Sequence, residues 1–147
     1  MIGEFLFRLS SMEAHSAPII QRVTYNQQPA GVAATLVAVT LLTVPPDKAL
    51  HLVNIAVSAT AGAAQTCDRI TVDHYADNGN TFLGRLAQSI LSAGLLRHSL
   101  DRQFTDLILM PNELVICNAF FSAGGVANTI SAAANGLLLP KGNLQLR

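Results

Sequence analysis

Apolar and polar residues alternate in short runs along most of the chain, which is the pattern expected of half-buried β-strands. The clearest run covers residues 49–60, where Val53, Ile55 and Val57 stand at alternate positions. Successive side chains of a strand point to opposite faces, so this spacing predicts that all three face the core. The segment is therefore predicted to be one continuous strand with one buried face.

Turn residues separate this run from the others. Pro45 to Lys48 is a proline-rich turn, and Asn78-Gly79 is the strongest short-range signal for a β-hairpin. In the run 114–121, Val115 and Cys117 are predicted to be buried on a second sheet face. The predicted strands are residues 19–25, 33–44, 49–60, 69–75, 81–89, 95–100, 106–110, 114–121, 127–133 and 136–139.

We interpret these runs as roughly eight to nine short strands, at the spacing typical of an all-β sandwich or barrel. Residues 81–89 would also suit a helix, and residues 95–100 a helical turn. Nothing alternates strands with long helices, as a doubly wound α/β fold would. We expect one β-domain over residues 18–140, an N-terminal arm over 1–17 and a C-terminal tail over 141–147.

The N-terminal arm has a pattern of its own. Ile2, Phe5, Leu6 and Leu9 follow the spacing of one face of a short amphipathic helix. So short a helix is not stable alone in water, so the arm docks on its own domain, docks on a neighbour or stays disordered. We expect these four residues to contact a partner, unless Met12 is the biological start.

Charge is scarce. Charged residues are 12% of the chain, against about 25% in an ordinary soluble domain. Residues 14–46 contain a single formal charge, Arg22, and residues 107–140 contain only Glu113. A small domain normally presents a charged surface to water. We therefore expect much of this surface to contact other protein, including further copies of the same chain.

The same composition argues against two other partners. The net charge is zero and no run of Lys or Arg occurs, so binding to nucleic acid is not expected. The longest apolar run, residues 32–44, is shorter than the roughly 20 residues of a membrane-spanning helix. Glu4 and Arg8 interrupt the apolar N-terminus, which does not fit a secretory signal. An intracellular protein, or a particle assembled inside a cell, is the expectation.

Candidate chemistry is weak. His74 lies beside Asp73 and near Asp77, but adjacent residues of a strand point to opposite faces, and Asp77 suits the Asp-Asn-Gly turn. Cys67 and Cys117 stand in no metal-binding or redox motif; they are expected to be small buried residues, and spacing leaves a disulfide open. No nucleophile elbow or phosphate loop occurs. We predict no enzyme, with no catalytic, cofactor-binding or metal residues.

Three phrases in the sequence resemble small jelly-roll proteins of tailed bacteriophages, the head decoration or cement type. They are TVPPDKALHLVNIAVSATAG, then LILMPNELVICNAFFSAGGVANTISAAANG, then LLLPKGNLQ. The shared features are a strand ending in a Pro-rich turn, and later a Leu-Pro turn, a strand, a Gly-Gly turn and a closing Leu-Pro. The resemblance covers residues 32–143 and leaves the arm outside.

The resemblance implies a jelly-roll β-sandwich that clamps neighbouring capsid subunits without catalysis or a cofactor. Its partners would be the major capsid protein or other virion subunits, and itself. Its place would be the capsid surface of a virion assembled in the host cytoplasm. The alternative is a ligand-recognition jelly roll, such as a carbohydrate-binding or tail-fibre receptor-binding module. Such modules use aromatic platforms or carboxylate clusters, and this chain has no Trp and two Tyr.

Overall fold

Eight β-strands form two sheets in the computed structural model, which describes residues 17–26, 35–123 and 127–140. Sheet A has the strand order β1-β8-β3-β6, and sheet B has the order β2-β7-β4-β5. A 3-10 turn at Asp77–Gly79 joins β4 to β5. The strands are β1 (Ala17–Asn26), β2 (Leu36–Thr43), β3 (Lys48–Thr60), β4 (Cys67–Ala76), β5 (Thr81–Leu95), β6 (Arg97–Leu109), β7 (Leu114–Phe121) and β8 (Thr129–Pro140).

The strand order is that of a jelly roll. Every paired strand is antiparallel, and the chain crosses from one sheet to the other at all but one of its connections. Two four-stranded antiparallel sheets built in this way are the double Greek key of the jelly roll. The predicted all-β sandwich of about eight strands is confirmed.

The core lies between the two sheets and is built from aliphatic side chains. Its largest fully buried residues include Leu41, Leu52, Ile55 and Ile70. The predicted burial of Ile55, Val57, Val115 and Cys117 is confirmed. Apolar residues from the facing sides of both sheets fill one cluster, which is the arrangement of a packed sandwich.

Val53 corrects the sequence prediction. Its side chain is 38% exposed, whereas Leu52 and Ile55 are fully buried. A register shift between Leu52 and Asn54 interrupts the pairing of β3 with both β6 and β8. Such a bulge changes which parity of residue faces inward, because the side-chain period of a strand is two. Leu50 and Leu52 are buried before the bulge, and Ile55, Val57 and Ala59 are buried after it.

Several predicted segments merge into longer strands. Residues 81–89, which also suit a helix, lie in the long strand β5, and the run 95–100 spans the end of β5 and the start of β6. Most of the run 127–133 and all of the run 136–139 lie in β8, which begins at Thr129 and continues through Gly136. A Cβ built at Gly136 would meet the backbone oxygen of His51, so the close pairing of β3 with β8 there requires glycine.

The Asn-Gly hairpin turn is present as predicted. Asp77, Asn78 and Gly79 have φ values of 52, 56 and 98°, the left-handed region that Asn and Gly tolerate best. Apart from Ala17, the predicted arm lies outside the described residues, as do the predicted tail and Gly124-Gly125. The division into arm, domain and tail therefore stays a prediction. In the described part of the chain, no helix is long and apolar enough to cross a membrane.

Candidate subunit interfaces

Strand β5 is the most apolar exposed element of the described chain. None of its residues is buried. Phe82, Leu83, Ile90 and Leu95 are 48–61% exposed, and Leu96, which follows the strand, is 56% exposed. These five residues, which we call the β5 strip, are more than half of the large apolar side chains exposed among the described residues. Apolar patches of this kind mark sites of contact with other molecules.

The position of β5 in the sheet explains its exposure. It is the last strand of sheet B and pairs only with β4. Edge strands are usually protected by charged side chains, but the only charged residue on β5 is Arg85, whose guanidinium bonds to Asp73. Leu86 and Ala87 pack partly on the core and line an open depression of about 310 Å³ between β5 and β6. The edge is therefore apolar and uncovered.

The outward face of sheet B continues this apolar surface. Residues paired directly across antiparallel strands share a face. One such row contains Leu36, Phe120, Arg69 and Ile90. The Arg69 guanidinium lies 3.7 Å from the centroid of the Phe120 ring, which places its charge on an aromatic face. Two rows further along the same face, at Asp73 of β4, the surface is polar.

That polar centre is organised around Asp73, which is 4% exposed although it faces outward. Arg85 Nε donates to Asp73 Oδ1 at 2.8 Å. Thr71 Oγ1 and Asn118 Nδ2 donate to Asp73 Oδ2 at 3.1 and 3.0 Å. The hydrogen bond to Asp73 raises the pKa of Arg85. A carboxylate held by three donors is already satisfied and serves as a structural anchor for strands β4, β5 and β7.

A second polar group lies between the sheets. His98 of β6 is 4% exposed, and its Nε2 lies 2.8 Å from Ser89 Oγ of β5. Its Nδ1 lies 3.9 Å from Cys67 Sγ of β4. Burial lowers the pKa of His98, partly offset by Asp68, and burial raises the pKa of Cys67. A buried thiol with a raised pKa is a poor nucleophile, so this group links the sheets and has no reactive thiolate.

The remaining sequence candidates are structural. His74 Nε2 lies 2.7 Å from Glu113 Oε2, a partner 39 residues away that sequence spacing did not reveal. Asp77 accepts a hydrogen bond from Thr81 Oγ1 at 2.9 Å within the turn. Cys67 and Cys117 are free and buried, and burial raises the pKa of Cys117 to about 12.

No metal site emerges from this part of the chain. Within residues 17–26, 35–123 and 127–140, no group of three His, Cys, Asp or Glu side chains is placed to hold a metal ion. Ile2, Phe5, Leu6 and Leu9, the predicted partner contacts, lie outside the described residues.

The outward face of sheet A differs from that of sheet B. Its central rows consist of small side chains, and a shallow depression of about 220 Å³ lies on it. Arg22 and Asp101 stand at the two ends of one of these rows. This face, which we call the small-residue face, includes the rows Arg22–Ala133–Ala56–Asp101 and Thr24–Ser131–Ser58–Ser99.

No protein-family model matches the chain, and no curated protein sequence matches it. Similar solved structures include a capsid structure of Helicobacter pylori bacteriophage KHP30, with 11% identity over 85% of this chain and 89% of that chain and a TM-score of 0.44. The capsid asymmetric unit of cyanophage Pam1 has 15% identity over 86% and 87%, with a TM-score of 0.46. A lipoprotein from Bacteroides thetaiotaomicron has 6% identity over 84% of each chain, with a TM-score of 0.46. At these values none of the likenesses assigns a function.

Proposed function

We propose that the protein is a non-enzymatic structural subunit of a virus particle. In this proposal it is a cement or decoration subunit that binds the outside of an assembled shell and stabilises it. Its partners are the major capsid protein or other virion subunits. The jelly-roll topology is compatible with this role, since viral capsid domains use it, but lectins and cupins use it too. The exposed surface therefore carries the proposal.

The single observation that supports it most strongly is the β5 strip. A strand with no buried residue and one neutralised charge is a liability in a free monomer, because it invites association. The same strand is well suited to a permanent contact with another protein. Asp73 and Arg85, beside the strip, are already paired, so a partner can cover them without leaving an unpaired charge.

The energetic scale indicates how such a subunit would work. Full burial of one large apolar side chain is worth about 1.5–3 kcal/mol, and the β5 strip is already about half covered in the subunit. Its five side chains then contribute about 5 kcal/mol, which is near the low end of the cost of association, about 4–15 kcal/mol. One strip alone gives weak binding. Stable attachment needs a further contact surface or several linked copies.

The N-terminal arm supplies one candidate for that further contact. Ile2, Phe5, Leu6 and Leu9 form an apolar stripe in the sequence on the N-terminal side of β1, which begins at Ala17. In this proposal the stripe lies against a neighbouring subunit or the shell, where its burial compensates the cost of ordering the arm.

Co-sedimentation with capsids of the virus that encodes the chain tests the proposal. The wild-type chain is expected to pellet with capsids in a saturable manner. Replacing Ile90 and Phe82 together with Ser should weaken binding at least about tenfold while the melting temperature stays unchanged, since both side chains are already exposed. Met110→Ser, a change at a 45% exposed apolar residue outside the strip, is the matched control. No pelleting of the wild-type chain, or equal binding by all three proteins, would contradict the proposal.

A further inference from the structure

Sheet A leaves its outward face without any partner among the described residues. Sheet B packs on its inward face, and residues of the small-residue face are exposed or only half-buried. We infer that this face is an isologous interface, occupied by a second copy of the same chain. The inference rests on the proposed function in one respect: a dimer carries two β5 strips, and two linked strips would attach more firmly to a shell than one.

The first argument is the placement of charge. Arg22 lies on β1, pairs with Ala133, and through Ala56 shares a row with Asp101 on β6. β1 and β6 are the two edges of sheet A, so the opposite charges stand about 14 Å apart, at three strand spacings. Inside this row only alanine separates them.

A two-fold axis converts this placement into complementarity. When two such faces meet about an axis parallel to the central strands, the β1 edge of one copy lies over the β6 edge of the other. Arg22 then faces the partner's Asp101, and the partner's Arg22 faces Asp101. An isologous interface repeats each contact, so one row provides two ion pairs. A heterologous partner would need its own matching charges, whereas a second copy has them by symmetry.

Both charges are available for such contacts. Asp101 accepts one hydrogen bond from Asn54 Nδ2 at 2.7 Å through its Oδ1, which leaves Oδ2 for a partner's cation. Arg22 is exposed and makes no ion pair with another described residue. Both Asp101 and Arg22 can therefore form an ion pair with a second copy without first breaking an ion pair within their own chain.

The centre of the face permits close approach. Ser58, Ser131, Ala56 and Ala133 line the shallow depression between the two charges. Small side chains allow two sheets to approach, and aligned packing of two sheets is a common arrangement. The small hydroxyl groups can bond across the interface or to trapped water, as in ordinary polar interfaces. The charged ends then determine the orientation of the two copies.

Charge reversal in the full chain tests the inference by sedimentation equilibrium. The wild-type chain is expected to form dimers at micromolar to tens-of-micromolar concentration. Arg22→Asp and Asp101→Arg, each made alone, place like charges opposite one another twice. Each should raise the dimer dissociation constant at least about tenfold. The double variant restores both pairs with their signs exchanged, and its dissociation constant should return to within about threefold of the wild-type value.

Two further variants separate the interface from the fold. Asp47→Arg changes a charge that is 72% exposed in a turn outside the face, and it should leave dimerisation unchanged. Ser131→Trp adds bulk at the centre of the face and should abolish the dimer. The melting temperatures of the charge variants should stay near the wild-type value, because the replaced side chains are on the surface.

A monomeric wild-type chain at these concentrations would overturn the inference, and so would single reversals that dissociate the dimer without rescue in the double variant. Association that persists in Ser131→Trp would place the contact elsewhere, on the arm or the β5 strip, and would equally overturn it. Capsid pelleting of the same proteins keeps the two claims separate. A chain that pellets with capsids but never dimerises retains the proposed function alone. A chain that dimerises in this pattern but never pellets retains the dimer alone.

Discussion

Arg85 Nε donates a hydrogen bond to Asp73 Oδ1 at 2.8 Å on the outward side of sheet B. This pair is unusual in its burial, because only 6% of the Asp73 side chain is exposed although no element of the described chain covers that side of the sheet. The covering comes from Arg85 and the hydrogen bonds of Thr71 and Asn118. The outer surface therefore contains a charged residue that is neutralised before any partner arrives.

Removing the Asp73 carboxylate should destabilise the fold. Asp73→Ala removes the acceptor of the fully buried Thr71 hydroxyl, the nearer of the two acceptors of the Asn118 amide and the carboxylate partner of Arg85, which costs about 2–3 kcal/mol. Urea denaturation should show this as a lower midpoint with an unchanged slope. Asp47→Ala, which breaks an exposed 3.6 Å pair with Lys48, is the control and should change stability by less than about 0.5 kcal/mol. Equal effects of the two substitutions would show that the buried pair has no special role.

Acid should weaken the link between the sheets at His98. Burial lowers the pKa of His98 below its usual value of 6.5, so the unfolded chain binds a proton more readily than the folded chain. The contribution of this residue is fully present above pH 6.5 and decreases as the pH falls from 6.5 toward the lowered pKa. The free-energy difference between wild type and His98→Gln should therefore shrink below pH 6.5.

Urea denaturation at intervals from pH 8 to pH 5 measures that difference. A constant gap between wild type and His98→Gln over the whole range would contradict the assignment.

Gly136 and Gly84 should respond in opposite ways to a methyl group. A Cβ at Gly136 would lie 2.4 Å from the His51 backbone oxygen, whereas a Cβ at Gly84 meets nothing within 4 Å. Gly136→Ala should cost about 3 kcal/mol or more, because two paired backbones would have to separate. Gly84→Ala should be neutral or slightly stabilising. Thermal unfolding of both variants checks this, and a tolerated Gly136→Ala would place the β3–β8 register in doubt.

The bulge in β3 predicts that two valines differ sharply in tolerance of charge. Val57 is 2% exposed, so Val57→Asp buries an unpaired carboxylate and should unfold the chain or make it insoluble. Val53 is 38% exposed, so Val53→Asp should remain soluble and folded. Circular dichroism and solubility measurements distinguish the two. A soluble Val57→Asp with an unchanged melting temperature would mean that the strand register is wrong.

The sequence pattern predicted the strands better than it predicted which atoms meet. The Asn78-Gly79 turn and the buried Ile55 and Val57 follow from local rules of turn chemistry and alternation. Alternation wrongly predicted that Val53 is buried, because the bulge beside it depends on pairing with strands distant in sequence. The His74–Glu113 contact depends on such pairing too, since β4 lies beside β7 only in the folded sheet.

The candidate contact surfaces were likewise predictable from the sequence only in part. Scarce charge predicted that the chain meets other protein, but not which faces would do so. Phe82 and Ile90 could have been core residues of a helix or of a central strand. They are exposed because β5 lies at the edge of sheet B, whose outward face no other described element covers. The opposition of Arg22 and Asp101 likewise requires the order of all four strands of sheet A.

The most direct test of the central claim is the thermal stability of the shell itself. Capsids freed of the protein should be heated in a calorimeter with none, with a saturating amount of wild-type chain, and with the Phe82→Ser, Ile90→Ser double variant. A cement subunit binds the assembled shell in preference to its separated parts, so wild type should raise the shell's transition temperature in a concentration-dependent manner. The double variant should raise it much less at the same concentration. A transition temperature that is unchanged at saturating wild-type chain would contradict the account.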